Sequence, residues 1–264
     1  MPLERFVLGP NRHYVENGFT LAHASAAAYE ADPKNYTQWN ELPFDRYEAF
    51  DIDETSTQGF VAASDQNTVV VFRGTEYSTL IDLQNDLNAL QKRGYGGRVH
   101  QGFAEAFESA EDTVKDLLAR FRDNGQNLFF TGHSLGAALA TLAAWEFRRR
   151  NPTGLVSFGS PRVGDPDFAA NYPITTKRWV NNRDVVAQVP FEWSLGLRYK
   201  HVANPVLMKR NGDIETTRTV WSGVKDLFQD AVAAASAAKI EMFEVQGLED
   251  HKIDNYIAKI DGNL

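Results

Sequence analysis

The sequence predicts an α/β domain with a central, mostly parallel sheet flanked by helices, and three observations predict it. Short apolar strand-like runs alternate with amphipathic helical segments along most of the chain. A strand, a sharp turn and a helix follow one another without a break over residues 127–150. No linker, internal repeat or low-complexity tract divides the 264 residues, so 1–264 are expected to form one domain. Hydrophobic side chains make up 43% of the chain, enough for one continuous interior and too many for a disordered polypeptide.

The elements justify themselves in order. An alanine-rich segment, 15–30, reads as a helix stopped by Asp32-Pro33, and a turn-rich stretch follows. Residues 59–63 and 68–73 are strand-like runs joined by Asp65, Gln66 and Asn67, a hairpin entering a sheet. Over 78–90, Leu80, Leu83, Leu87 and Leu90 are spaced three, four and three apart, which gathers them on one side of a helix. Gly94, Gly96 and Gly97 then loosen the chain. Phe103, Phe107, Val114, Leu118 and Phe121 share the apolar face of a helix over 102–121, with Asn124-Gly125 as its stop. Residues 127–131 are a buried strand, 132–136 a turn, and 137–150 a helix closed by Asn151-Pro152. Three more strands are expected at 155–159, 178–181 and 202–208.

Composition narrows the function classes. The net charge of −8 argues against a nucleic-acid partner, because the only dense basic run, Arg148 to Arg150, ends a helix where the dipole favours cations. With no cysteine, disulfides, thiol nucleophiles and cysteine-ligated metals are excluded. No His-Glu-x-x-His pattern and no glycine-rich phosphate loop occur, so neither a metal nor another cofactor is expected. Glu4, Arg5, Arg12 and Glu16 interrupt the start of the chain, and no signal peptide is visible. The expectation is a cytoplasmic protein, or a secreted one whose leader has been removed, with no transmembrane segment.

Gly132-His133-Ser134-Leu135-Gly136 has the G-x-S-x-G form and lies between a predicted strand and a predicted helix, where a nucleophile elbow belongs. Such a turn exposes the serine hydroxyl at the positive end of a helix, so Ser134 is the candidate nucleophile. Chain order in an α/β hydrolase is nucleophile, acid, histidine. Of the histidines, only His201 and His251 follow Ser134. His201 adjoins a strand candidate and reads as a backbone-bonded histidine, whereas His251 follows the last strand and is chosen as general base. Asp184 follows the second strand after the nucleophile helix and is chosen as the acid. Asp165, beside Gly164, reads as a turn or helix-cap residue. The backbone N–H of Leu135 and Thr75, at the end of an earlier strand, are the expected oxyanion donors.

With these residues placed, the chain resembles the class 3 (fungal-type) triacylglycerol lipase family. The resemblance runs roughly from Val69 to His251, through Val70-Val71-Phe72-Arg73-Gly74-Thr75, Val99-His100-Gln101-Gly102-Phe103, Thr131 to Gly136, Ser157 to Gly164, Asn182 to Pro190 and Asp250-His251. It implies an α/β-hydrolase fold, the triad Ser134, Asp184 and His251, and an oxyanion hole of Thr75 and Leu135. It also implies a helical lid within about 76–97, whose Leu80, Leu83, Leu87 and Leu90 meet lipid on opening, and an Asp86 hydrogen-bonded to Thr75. Phe191, Trp193 and Leu195 either line an acyl pocket or belong to the core. The stretch 211–247 carries an amphipathic pattern from Val220 to Val232 that is either core packing or a second cap. Two departures stand out. The lid helix lacks a tryptophan, which argues against strong interfacial activation, and the absence of cysteine is more similar to bacterial members than to secreted fungal ones. The implied activity is carboxylester hydrolysis, of triacylglycerols first, with short-chain, phospholipid or feruloyl-type esters as alternatives and a catalytically silent binding scaffold as a remote one.

Overall fold

The computed structural model describes residues 14–75, 90–123, 125–182, 184–190, 193–194, 196–216 and 247–264. In chain order the helices are α1 (Tyr14–Ala27), α2 (Gln101–Phe121), α3 (Leu135–Glu146), α4 (Pro166–Asn171) and α5 (Ile253–Asp261). The strands are β1 (Arg46–Ile52), β2 (Thr57–Ala63), β3 (Asn67–Phe72), β4 (Gln91–Gly94), β5 (Gly97–His100), β6 (Asn127–His133), β7 (Gly154–Phe158), β8 (Thr176–Asn181), β9 (Trp193–Ser194), β10 (Leu197–Arg198), β11 (Pro205–Met208) and β12 (Ile214–Glu215).

Eight strands form one sheet in the order β1-β2-β3-β6-β7-β8-β11-β12. The pairings from β3 to β11 are parallel, and β1, β2 and β12 add antiparallel edges. Strand alternation sends side chains to opposite faces, and the sequence fills both. Val70, Phe72, Leu128, Phe130 and Leu155 join the core beneath α2 and α3. Val69, Val71, Phe129, Val156 and Phe158 join the core beneath α1 and α5, with Trp39, Trp179 and Tyr256. The central strands β3, β6 and β7 are therefore buried almost throughout rather than on alternate residues.

The hairpin read at 59–73 is β2–β3, in register from Gly59 opposite Phe72 to Ala63 opposite Thr68. Helix 102–121 is α2, which starts one residue earlier because His100 caps it, accepting from Phe103 N at 3.4 Å. The helix expected over 137–150 begins at Leu135 and passes into a 3-10 turn at Phe147–Arg150. Two elements differ from the sequence reading. The turn-rich stretch contains β1, an edge strand with only Phe50 buried, which leaves no clean alternation to detect. Gly94 to Gly97 do not loosen the chain but form the tight turn of hairpin β4–β5.

Of the span 76–97 expected to hold a lid, 76–89 lie outside the described residues and 91–97 belong to this hairpin. Leu90, between them, is 58% exposed. The segment 220–232 also lies outside the described residues. Among them no helix is long and apolar enough to cross a membrane.

Phe107 is fully buried at the centre of the α2 face, with its ring edge-on to Phe72 and Phe147. Phe107→Ala is expected to cost about 3–5 kcal/mol of unfolding free energy, read from urea melts; a loss below about 1 kcal/mol would show that this face is not part of the cooperative core.

Candidate active site

The parallel strands β3, β6, β7 and β8 deliver the candidate residues to their C-terminal ends. Ser134 stands between β6 and α3 at φ 59° and ψ −129°, a conformation rare for a residue with a side chain. Its strain is held by burial on both flanks: a Cβ at Gly132 would stand 2.5 Å from the Gly136 carbonyl, and one at Gly136 would stand 2.2 Å from Phe72 O. Ser134 N donates to Phe158 O at 3.0 Å, tying the turn to β7. Gly74 packs against the carbonyl of His133 and the Cβ of Ser134, so Thr75 follows directly from the residue beside the serine. Leu135 is the first residue of α3, with its N–H at the positive end of the helix.

Asp184 follows β8 and heads a 3-10 turn, Val186–Gln188. Its Oδ1 accepts from Val186 N at 2.9 Å and Ala187 N at 3.3 Å. Its Oδ2 accepts from His251 Nδ1 at 2.8 Å and from the Tyr256 hydroxyl at 2.5 Å. Burial works to raise the Asp184 pKa, but the neighbouring His251 and the hydrogen bonds from His251 and Tyr256 outweigh it and hold the carboxyl below the usual range. Tyr256 is pushed far up by burial and then by Asp184, so it stays a donor.

His251 ends a helical turn at 247–251, and the end of β8 grips that turn: Asn181 Nδ2 donates to Asp250 O at 2.7 Å, and Asn182 Nδ2 to Asp250 Oδ2 at 2.8 Å. Gly159 passes beneath the pair at φ 57°; a Cβ there would lie 2.7 Å from Asp184 Oδ2 and 2.8 Å from His251 Nδ1. Ser134, Asp184 and His251 are all sealed from water. Among the described residues, Ser134 Oγ and His251 Nε2 are buried and have no hydrogen-bond partner. A proton acceptor and a hydroxyl are thus both left available at the same end of the sheet.

The other candidates fall elsewhere. Leu80, Leu83, Leu87, Asp86, Phe191 and Leu195 lie outside the described residues, and Trp193 is placed in β9, paired with Arg198. His201 bonds backbone, its Nε2 lying 2.9 Å from Ala187 O. Asp165 caps α4, accepting from Phe168 N at 2.8 Å. Sequence reasoning missed Tyr256, whose signal was the Ile253, Tyr256, Ile257, Ile260 spacing of an amphipathic helix. It also missed Arg162, which donates to the Gln188 and Pro190 carbonyls and fixes the acid loop. Among the described residues, no cluster of His, Cys, Asp or Glu is arranged to hold a metal ion.

The family described as Lipase (class 3) matches residues 69–193. A chloroplastic phospholipase A(1) of Arabidopsis thaliana is 32% identical over 151 residues, covering 47% of this chain and 34% of that protein. A lipase of Rhizopus niveus is 32% identical over 153 residues, covering 52% and 38%. A secreted mono- and diacylglycerol lipase of Malassezia globosa is 34% identical over 158 residues, covering 52% and 50%. The matches thus span between a third and a half of these relatives' lengths. Among solved structures, lipase II from Rhizopus niveus superposes with a TM-score of 0.66 at 26% identity, over 79% of this chain and 88% of that one. The triacylglyceride lipase of Rhizomucor miehei gives 0.66 at 23% identity, over 80% and 90%. The shared architecture is the α/β-hydrolase fold.

Burial lowers the pKa of His133 to about 3 and that of His100 to about 4, and lowers those of His23 and His201 as well. An unfolded histidine takes its proton near pH 6.5, so between about 6.5 and 4 the unfolded chain binds more protons and stability falls with pH. Each group contributes a slope of about 1.4 kcal/mol per pH unit. Asp184, with its lowered pKa, adds its own loss only below about pH 4. His100→Asn keeps an N-cap acceptor and is expected to remove about one proton from the slope, measured by urea melts at pH 7, 6 and 5; an unchanged slope would mean that His100 is not held neutral.

Proposed function

We propose that the chain, whose residues 69–193 match the class 3 lipase family, is a serine hydrolase of carboxylic esters, acting on lipid esters through an acyl-enzyme on Ser134. The observation that carries the reading is the sealed Asp184–His251 hydrogen bond of 2.8 Å at the same strand ends as an elbow serine. Asp184 fixes the tautomer with the proton on Nδ1, leaving Nε2 as the base.

In the proposed cycle, Ser134 Oγ attacks the ester carbonyl carbon and its proton passes to His251 Nε2. The tetrahedral oxyanion is held by Leu135 N–H and by Thr75. As the intermediate collapses, the C–O bond to the alcohol breaks, His251 protonates the leaving oxygen, and the acyl group stays on Ser134. Water, deprotonated by His251, then adds to the acyl carbon, and the Ser134 oxygen leaves with its proton restored. Because the three residues are sealed, substrate reaches Ser134 only after the cover over it moves, as a lid would. One of the named relatives is a mono- and diacylglycerol lipase and another a phospholipase A(1), which supports a glycerolipid ester as the substrate class.

The test is hydrolysis of p-nitrophenyl butyrate, p-nitrophenyl palmitate and emulsified triolein by wild type and Ser134→Ala. Wild type is expected to cleave all three, and the variant to lose on the order of 10⁶-fold in kcat. Activity on butyrate alone would replace the lipase with a small-pocket esterase, and activity surviving in Ser134→Ala would overturn the nucleophile.

A further inference from the structure

His133 stands one residue before the candidate nucleophile, buried and with both ring nitrogens engaged. Nε2 lies 2.6 Å from the main-chain carbonyl of His251, and Nδ1 lies 2.7 Å from the Tyr29 hydroxyl. A carbonyl can only accept, so the proton of His133 sits on Nε2, and Nδ1 must accept from Tyr29. The partners thereby fix one tautomer and one ring orientation. The His133 ring also lies against that of His251, tilted by 33° with centroids 4.4 Å apart. Tyr29 in turn lies beneath the guanidinium of Arg73, 5.7 Å from its ring centroid, two residues before Thr75.

From this geometry we infer that Tyr29 and His133 form a positioning pair that holds the main chain of the general base in register with the nucleophile. The inference rests on the hydrolase reading above. Asp184 orients the His251 imidazole from its Nδ1 side, but a ring is aimed only if its backbone is fixed as well. The end of β8 grips the segment bearing His251 through the neighbouring Asp250. The His133 N–H reaches the His251 carbonyl itself, from the residue covalently joined to Ser134. Motion of the serine backbone and motion of the base are thereby coupled. Tyr29 extends the same chain to the oxyanion strand. Neither side chain is assigned a proton-transfer step, and neither touches a reacting atom in this arrangement.

The test uses the full chain with three variants: His133→Phe, which keeps a ring without donor or acceptor, His133→Gln, whose amide reaches about as far as Nε2, and Tyr29→Phe. With p-nitrophenyl butyrate, His133→Phe is expected to lower kcat about 100-fold with KM within about threefold, the size of effect a misplaced catalytic group produces. Tyr29→Phe is expected to lower kcat about five- to tenfold, as for one lost hydrogen bond. His133→Gln is expected to recover to within about tenfold of wild type. A second readout needs no turnover: the far-downfield proton resonance of His251 Nδ1–H should shift or broaden in His133→Phe and return in His133→Gln. Should His133→Phe not fold, the remaining two variants carry the same comparison. Wild-type kcat and an unmoved resonance in His133→Phe, or in Tyr29→Phe where His133→Phe does not fold, would overturn the proposal. A folded His133→Gln no better than His133→Phe would overturn it too, as would losses confined to KM. If wild type cleaved no ester, the hydrolase reading would fail, whereas the resonance would still report whether His133 orients His251.

Discussion

An ionised carboxylate sealed from water must be supplied with donors by the protein, and Asp184 takes them from three separate parts of the chain. Its own loop gives Val186 N and Ala187 N, the turn before α5 gives His251, and α5 itself gives Tyr256. None of these can move far without stranding a buried charge. The loop is fastened from outside by Arg162, bonded to the Gln188 and Pro190 carbonyls, and by His201 against Ala187 O. Helix α5 is fastened from beneath, because the Tyr256 oxygen that donates to Asp184 accepts from Asn181 N at 3.0 Å. The C-terminal helix is thus part of the site as well as part of the core.

The same strand ends carry the second constraint, the strained turn at Ser134. A residue at positive φ with an extended ψ costs on the order of 1–3 kcal/mol, and it persists only where the surroundings leave no alternative. Here β6 is paired on both sides, with Phe72 opposite Gly132 and Phe158 opposite His133, and α3 is apolar enough to bury nearly all of its surface between the sheet and α2. Close packing at Gly132 and Gly136 leaves the chain no wider turn to adopt. Core packing and catalytic geometry are therefore one requirement at this point: what fills the interior also aims the serine.

How much of this was legible in the sequence follows from how local each signal is. The elbow was legible because strand, glycines and helix lie within about twenty residues and each supports the others. The buried strands and the long face of α2 were legible for the same reason, since their pattern is carried by contiguous residues. Chain order alone singled out Asp184 and His251, and the structure brings them within hydrogen-bonding distance. The edge strand β1 was not legible, because Phe50 is its only buried residue and no apolar alternation marks it. Hairpin β4–β5 was hidden by its charge, with Lys92, Arg93 and Arg98 in place of β-branched residues. Tyr256, Arg162 and Tyr29 were hidden for a different reason: they act 72, 26 and 104 residues away from the partners they hold, and no spacing rule spans such separations.

His133 and His251 show why residue type alone could not have assigned the roles. The two imidazoles are in contact, buried and of one chemistry, yet their surroundings divide them. In His133 both nitrogens are occupied, one by a carbonyl that accepts and one by a hydroxyl that can donate, so an added proton would find no place without breaking a bond. Burial and the neighbouring His251 reinforce that, holding His133 neutral down to about pH 3. In His251 one nitrogen is held by a carboxylate, and the other is unengaged among the described residues. His251 Nε2 is therefore open to a further partner, whereas both His133 nitrogens are taken. Their partners divide two like groups, leaving one ring with an open nitrogen and the other with both nitrogens fixed.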